Sequence, residues 1–203
     1  MDTTDSRADI ESLVKDVLGS KVLRYCLDSH RLEENFESGL VKIECAVHNR
    51  ESGEKSVVVG QGVGLVDAFF HGLVALHAKA APSLRTLRLA DFMVKSKPAS
   101  GHGATSTDSI AEVTVRLANV EGQETTFLDA SPSVTRSSLL AVMQGVEFFL
   151  NNEQAFVAVY RALQYARKER RPDSIALYTQ QLALLVQATT YSEVVQQLMA
   201  SCR

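Results

Sequence analysis

The chain has 203 residues, 45% hydrophobic and 22% charged, the composition of a globular protein long enough to bury a substantial core. A net charge of −3 gives no overall attraction for nucleic acid, and the scattered Cys26, Cys45 and Cys202 make no CxxC pair. The acidic start, Met1 to Asp5, lacks an apolar signal core, and the most apolar stretch, 57–76, is broken by Gln61, Asp67, His71 and glycines. A cytoplasmic protein with no membrane span is therefore expected.

The elements follow in chain order. Ile10, Leu13, Val14, Val17 and Leu18 keep helical spacing, with Gly19 as the stop and Asp5 or Ser6 as the cap. Val22–Leu27 reads as a strand, followed by a polar stretch, His30–Ser38. Val41, Ile43, Cys45 and Val47 alternate with Lys42, Glu44 and Ala46, the period of a half-buried strand, with Cys45 as a core residue. After a turn at 49–54, Ser56–Val59 is a third strand. Gly60-Gln61-Gly62-Val63-Gly64 leads into a helix from Leu65 that presents Ala68, Phe69, Gly72, Leu73 and Leu76 on one face.

The same order then recurs. Leu87–Val94 is a strand and 97–109 a long connection. Val113, Val115 and Leu117 alternate, and 119–123 turns with Gly122. Thr125–Leu128 is a strand, Asp129–Ser133 a turn, and the next helix buries Leu139, Val142, Met143, Val146 and Leu150. Beyond Asn152 the pattern is helical only, with a stripe at Phe156, Val159, Tyr160 and Leu163. A basic run at 167–171 sits at that helix end, where the dipole favours cations. A second stripe follows at Ile175, Tyr178, Leu182, Leu185 and Val186, and Thr190 with Glu193 resembles a capping box. Repetition of this kind is the strongest statement a sequence makes about architecture. It predicts an α+β fold of two βββα units: an N-terminal helix over 1–20, a duplicated domain over 21–151 and a helical appendage over 152–203.

The glycine turn is the segment where chemistry is expected. It is not a dinucleotide fingerprint, because Leu65 stands where a third glycine would fall and the order is βββα rather than βαβ. Glycines at a helix N-terminus suit a small anion such as an amino-acid carboxylate; a tight turn that binds nothing is the plainer alternative. Asp67 and His71 are four apart on one helix face, more simply a surface pair than an acid–base pair. The histidines have no metal-ligand spacing, Ser131 and Ser133 lack a nucleophile elbow, and His102 lies in the long connection. No metal, cofactor or catalytic residue is expected.

Three segments resemble the C-terminal allosteric, dimerising domain of α-isopropylmalate synthase and citramalate synthase. They are Gly60–Ala68, similar to G-x-G-x-G-P-x-x-A; Ser106–Val115, similar to G-T-D-A-x-G-E-V-T-V; and Ala130–Leu139, similar to the second turn and helix. The resemblance covers about 21–151. It implies a homodimer of paired βββα units that binds leucine or isoleucine and controls a distant catalytic barrel. The ligand region it implies is Gly60, Gly62, Gly64, Ala68, Asp91, Phe92, Thr107, Asp108, Ser109 and Ile110. Two departures stand out. No barrel or metal-binding histidines accompany the domain, and Val63-Gly64-Leu65 replaces Asn-Gly-Pro. The expectation is a stand-alone, non-catalytic regulatory domain acting on a separate catalytic chain, with a structural dimerisation module that binds no small molecule as the alternative. An enzyme using the glycine turn for a phosphate-bearing substrate is the weakest reading, since no nucleophile–base pair accompanies it.

Overall fold

The computed structural model describes residues 3–97, 109–189, 191, 194–196 and 198. Helix α1 (Thr3–Leu18) ends in a 3₁₀ turn, Gly19–Lys21, where Gly19 takes the left-handed φ of 56° that glycine tolerates best. Residues 5 and 6 lie inside α1 rather than capping it. Strands β1 (Tyr25–Asn35), β2 (Leu40–Asn49) and β3 (Lys55–Gly62) form one antiparallel sheet in the order β1-β2-β3, and α2 (Leu65–His77) follows. Strands β4 (Arg88–Lys97), β5 (Ile110–Ala118) and β6 (Glu124–Ser131) form the second sheet in the same order, followed by α3 (Val134–Lys168) and α4 (Pro172–Leu185). The duplicated βββα reading is thereby confirmed.

The duplication extends to detail. β3 and β6 share one sequence of buried and exposed positions along their length. Both first strands carry a register shift near their start, at Leu27/Ser29 and at Leu89/Asp91. Both central strands bury alternate side chains: Val41, Ile43, Cys45 and Val47 in one, Ala111, Val113, Val115 and Leu117 in the other. Burial also pushes the Cys45 thiol up to about 11, so it stays a protonated core group at neutral pH. Asn49 and Asn119 occupy matching hairpin positions. Each side-chain carbonyl accepts two backbone N–H groups of its turn, from Glu51 and Ser52 and from Glu121 and Gln123.

α2 packs on β3 and β2, α3 packs on β5 and β6, and the two helices meet each other. α1 lies against α3, where the Arg7 guanidinium stacks over the Phe127 ring at 4.5 Å and donates to the Thr126 carbonyl at 2.6 Å.

Several boundaries differ from the sequence expectation. The first strand is Tyr25–Asn35, not Val22–Leu27, so most of the polar stretch is strand. Among the described residues it pairs only with β2, and its charges are matched across the ladder, Arg31 opposite Glu44 and Glu33 opposite Lys42. A sheet edge tolerates such polarity because that side faces water. β3 runs on through Gly60 and Gly62, which therefore belong to the strand and not to a turn. Leu76, expected on the buried face of α2, is exposed; Val66 and Phe70 are buried in addition to the expected residues.

The helix that buries Leu139 to Leu150 does not stop there. α3 is one helix of 35 residues that passes through Asn151 and Asn152 without a break. Those two asparagines look like a stop in sequence, yet both are buried and hydrogen-bonded. Asn151 holds both backbone groups of Leu23, and Asn152 donates to the Leu185 carbonyl at 3.1 Å. Next to them Glu153 accepts both the Ser83 N–H and hydroxyl, at 3.0 and 2.5 Å. Asn119 donates to the Ala188 carbonyl at 3.1 Å, so buried polar groups fasten the segment after α4 to the second unit. Thr190 and Glu193, the expected capping box, lie outside the described residues.

Candidate functional site

The first two glycines of the expected site are packing residues in this fold. A Cβ on Gly60 would collide with the Ala68 carbonyl and lie 2.9 Å from the Gly72 nitrogen. One on Gly62 would strike the Asp67 carboxylate and lie 2.6 Å from the Ala68 nitrogen. Gly72 answers from the helix side, where a Cβ would sit 2.9 Å from the Val59 carbonyl. α2 therefore approaches β3 backbone to backbone, and the close approach these glycines permit is that of the helix. Ala68 is fully buried beneath them. At matching positions of the second unit stand Ser131 and Ser137, whose hydroxyls lie 2.8 Å apart, so a hydrogen bond replaces the bare contact.

Gly64 differs. It precedes α2 in an extended conformation, with open space around its Cβ direction. The turn is closed by Asp67, whose Oδ2 accepts the Val63 N–H at 3.0 Å. A carboxylate at the first turn also favours the helix dipole. His71 lies 3.6 Å from the other Asp67 oxygen, the surface pair expected from the spacing.

The opposite face of the first sheet carries an open depression of about 420 Å³ that reaches Gly60 and Gln61. Arg31, Glu33, Lys42 and Glu44 line it on β1 and β2, and Val59, 62% exposed, supplies an apolar wall on β3. Among the described residues none of these four charged side chains closes an ion pair, so cations and carboxylates of both strands stand open to solvent. Such a surface can meet a small carboxylate with Arg31 or Lys42 and an ammonium with Glu33 or Glu44.

The remaining expected residues lie on the second sheet. Asp91 and Phe92, being successive in a strand, point to opposite faces. Asp91 is engaged: Arg116 donates to it through Nε at 3.2 Å and through Nη2, while its Oδ1 accepts the Phe92 N–H at 2.9 Å. The Arg116 hydrogen bonds hold its carboxyl below the usual range. Ser109 precedes β5, and Ile110 stands opposite Lys97 at the far end of β4. Thr107 and Asp108 lie outside the described residues, as does His102. The described lining of the depression at Gly60 draws on β1, β2 and β3 and on no residue of β4 or β5. Among the described residues no three His, Cys, Asp or Glu side chains gather to hold a metal ion, and no helix is long and apolar enough to cross a membrane.

Sequence reasoning missed the charged ladder of β1 and β2, because it ended the first strand at Leu27 and read His30–Ser38 only as a polar stretch. The alternation of Arg31 and Glu33 was the available signal. It also missed Glu147. That residue sits at the edge of the apolar stripe of α3, and its contact with the chain entering β1 is 122 positions distant.

Two antiparallel βββα units joined through their helices define a duplicated α+β module, with its open surfaces on the sheets. The chain belongs to the family of the LeuA allosteric (dimerisation) domain, which matches residues 5–150. A search of curated proteins finds no match.

Proposed function

We propose that this chain is a non-catalytic regulatory domain that forms a homodimer, binds a small branched-chain amino acid or related carboxylate, and controls a separate catalytic chain from the cytoplasm. Family membership supports the regulatory role. The observation that carries ligand binding is the depression at Gly60 and Gln61, where unpaired cations and carboxylates surround exposed Val59. In this reading Arg31 or Lys42 meets the carboxylate, and Val59 with neighbouring stems meets the aliphatic part. Asp91, Phe92, Thr107, Asp108, Ser109 and Ile110 belong to the same proposal, contributed by the second copy across the dimer. The helices beyond 152 are proposed as the appendage that meets the catalytic chain.

A thermal melt with leucine, isoleucine, valine and branched 2-oxo acids tests the binding. A ligand present at 100 times its dissociation constant adds about 2.7 kcal/mol, a clear upward shift. The shift is expected to shrink in Lys42→Ala, a substitution on the surface of the depression. No shift with any of them at several millimolar refutes the sensor and favours a structural dimerisation module. The use of Gly60 and Gly62 to seat α2 already gives that second reading a physical basis.

Dimerisation has its own support. Leu32 and Val94 occupy equivalent positions in β1 and β4, on the helix-bearing face of each sheet, and are 41% and 43% exposed. Apolar groups left open at the same place in both units suit a surface that a second copy covers. Leu32→Glu with Val94→Glu is expected to convert a dimer to a monomer in light scattering. An unchanged mass would place the dimer contact elsewhere.

A further inference from the structure

Away from the sheets, the segment Val22–Tyr25 crosses α3 and is gripped by two side chains one helical turn apart. Asn151 accepts the Leu23 N–H at 2.7 Å and donates to its carbonyl at 2.9 Å, and Glu147 accepts the Tyr25 N–H through Oε1 at 2.6 Å. Between this segment, α1 and α3 lies a groove of about 200 Å³. It is smaller than the ~300–1,000 Å³ of sites for drug-sized molecules, and so suits a compact ligand.

Its charges are unbalanced. Arg7 is committed to Glu11 at 2.7 Å and to the Thr126 carbonyl. Lys15 and Arg24 also line the groove, and neither has an ion-pair partner among the described residues. The facing acid is Glu147. Burial pushes its carboxyl up to about 7, against the weaker opposing effects of the Tyr25 N–H and the Arg24 charge. With Oε1 accepting from Tyr25, the acid proton belongs on Oε2, which has no hydrogen-bond partner among the described residues. Two cations and one largely buried carboxyl thus line a small space walled by Val14, Val22 and Phe148.

We propose that the groove between α1 and α3 is a binding site for a small aliphatic monocarboxylate, charge-paired with Lys15 and Arg24 and hydrogen-bonded by the acid group of Glu147. The chemistry selects against an amine, which the two cations repel, and accepts a short branched or linear acid whose chain lies on the apolar wall. The site is independent of the depression at Gly60 and stands whether or not that surface binds an amino acid.

Calorimetric titration of the full chain with isovalerate, and with isobutylamine as the isosteric control, tests it. Isovalerate is expected to bind, and isobutylamine to show no heat. Affinity should fall about tenfold between pH 6 and pH 8 as Glu147 loses its proton. The other charged groups that line the groove are Arg7, Glu11, Lys15 and Arg24. Glu147→Gln keeps a donor at the same place, so it should bind with no fall over that pH range. Lys15→Ala, at an exposed position that does not threaten the fold, should weaken binding at least tenfold, whereas Lys79→Ala, exposed and outside both the groove and the depression, should not change it. Binding of the amine instead, no binding of isovalerate at 10 mM, or equal affinity in wild type and Lys15→Ala would each overturn the proposal.

Discussion

Gly60→Ala is expected to destabilise the protein by about 3 kcal/mol, the upper end for overpacking a core, because the added carbon meets backbone on α2 rather than a side chain that can swing aside. Relief requires α2 to lift from β3, which would uncover Phe69 and Leu73, both essentially buried. Gly64→Ala, four residues on, meets open space and an extended backbone. It should cost less than about 1 kcal/mol, the scale of a helix-cap preference. Urea unfolding of the two variants measures the difference. If Gly60→Ala unfolds at the wild-type midpoint, α2 is not seated on the strand backbone, and the glycines become free to serve a ligand. If both variants are severely unstable, the turn at Gly64 is constrained by something other than its own conformation.

Glu147→Gln is expected to have little effect on stability at pH 5 and to stabilise the protein by about 3 kcal/mol at pH 8. The sign follows from proton linkage. The folded-state carboxyl is raised from 4.5 to about 7, mainly by burial, so the native state holds a proton that the unfolded chain has released. Below about 4.5 the group is neutral in both states and contributes no difference. Between about 4.5 and 7 the unfolded state gains by ionising, and above about 7 the full cost is present. A rise from 4.5 to about 7 amounts to about 3 kcal/mol. Glutamine can accept the Tyr25 N–H and never ionises, so it escapes the cost.

The comparison must be made between variant and wild type at each pH, because other groups titrate as well. Burial also raises Glu153, which acts in the same direction, while burial lowers His77, whose neutral form loses its advantage as pH falls below about 6.5. These cancel in the difference when they are unaffected by the substitution. A difference that stays flat from pH 5 to pH 8 would mean that Glu147 is ionised in the native state throughout. The groove beside it would then hold an ordinary carboxylate, and the hydrogen-bond donor required there would be missing.

Much of the architecture was legible from periodicity alone. Val41, Ile43, Cys45 and Val47, and their counterparts Val113, Val115 and Leu117, alternate because one face of each sheet is covered by a helix and the other meets water, so burial writes a period of two into the sequence. The helix faces at Ala68, Phe69 and Leu73 and at Leu139, Val142 and Val146 are written in the same way, with a period near 3.6. Because both units bury the same positions, the duplication was visible without any structure.

The tertiary structure decided what periodicity does not encode. Asn151 and Asn152 read as a boundary between helices because polar residues in a row suggest exposure; only the distant partners of these two and of Glu153, namely Leu23, Leu185 and Ser83, explain why all three are buried inside one helix. Gly60 and Gly62 read as a ligand turn because a sequence states that a glycine leaves space, not what fills it; the neighbouring helix backbone does. Glu147 reads as one more acid on a helix until the Tyr25 N–H arrives from 122 residues away. The chain by itself therefore determined two βββα units and their buried faces, since these depend on local period. Which polar groups are buried, and which open surfaces remain to meet a ligand, depends on contacts between residues far apart in the chain, and only the folded arrangement decided them.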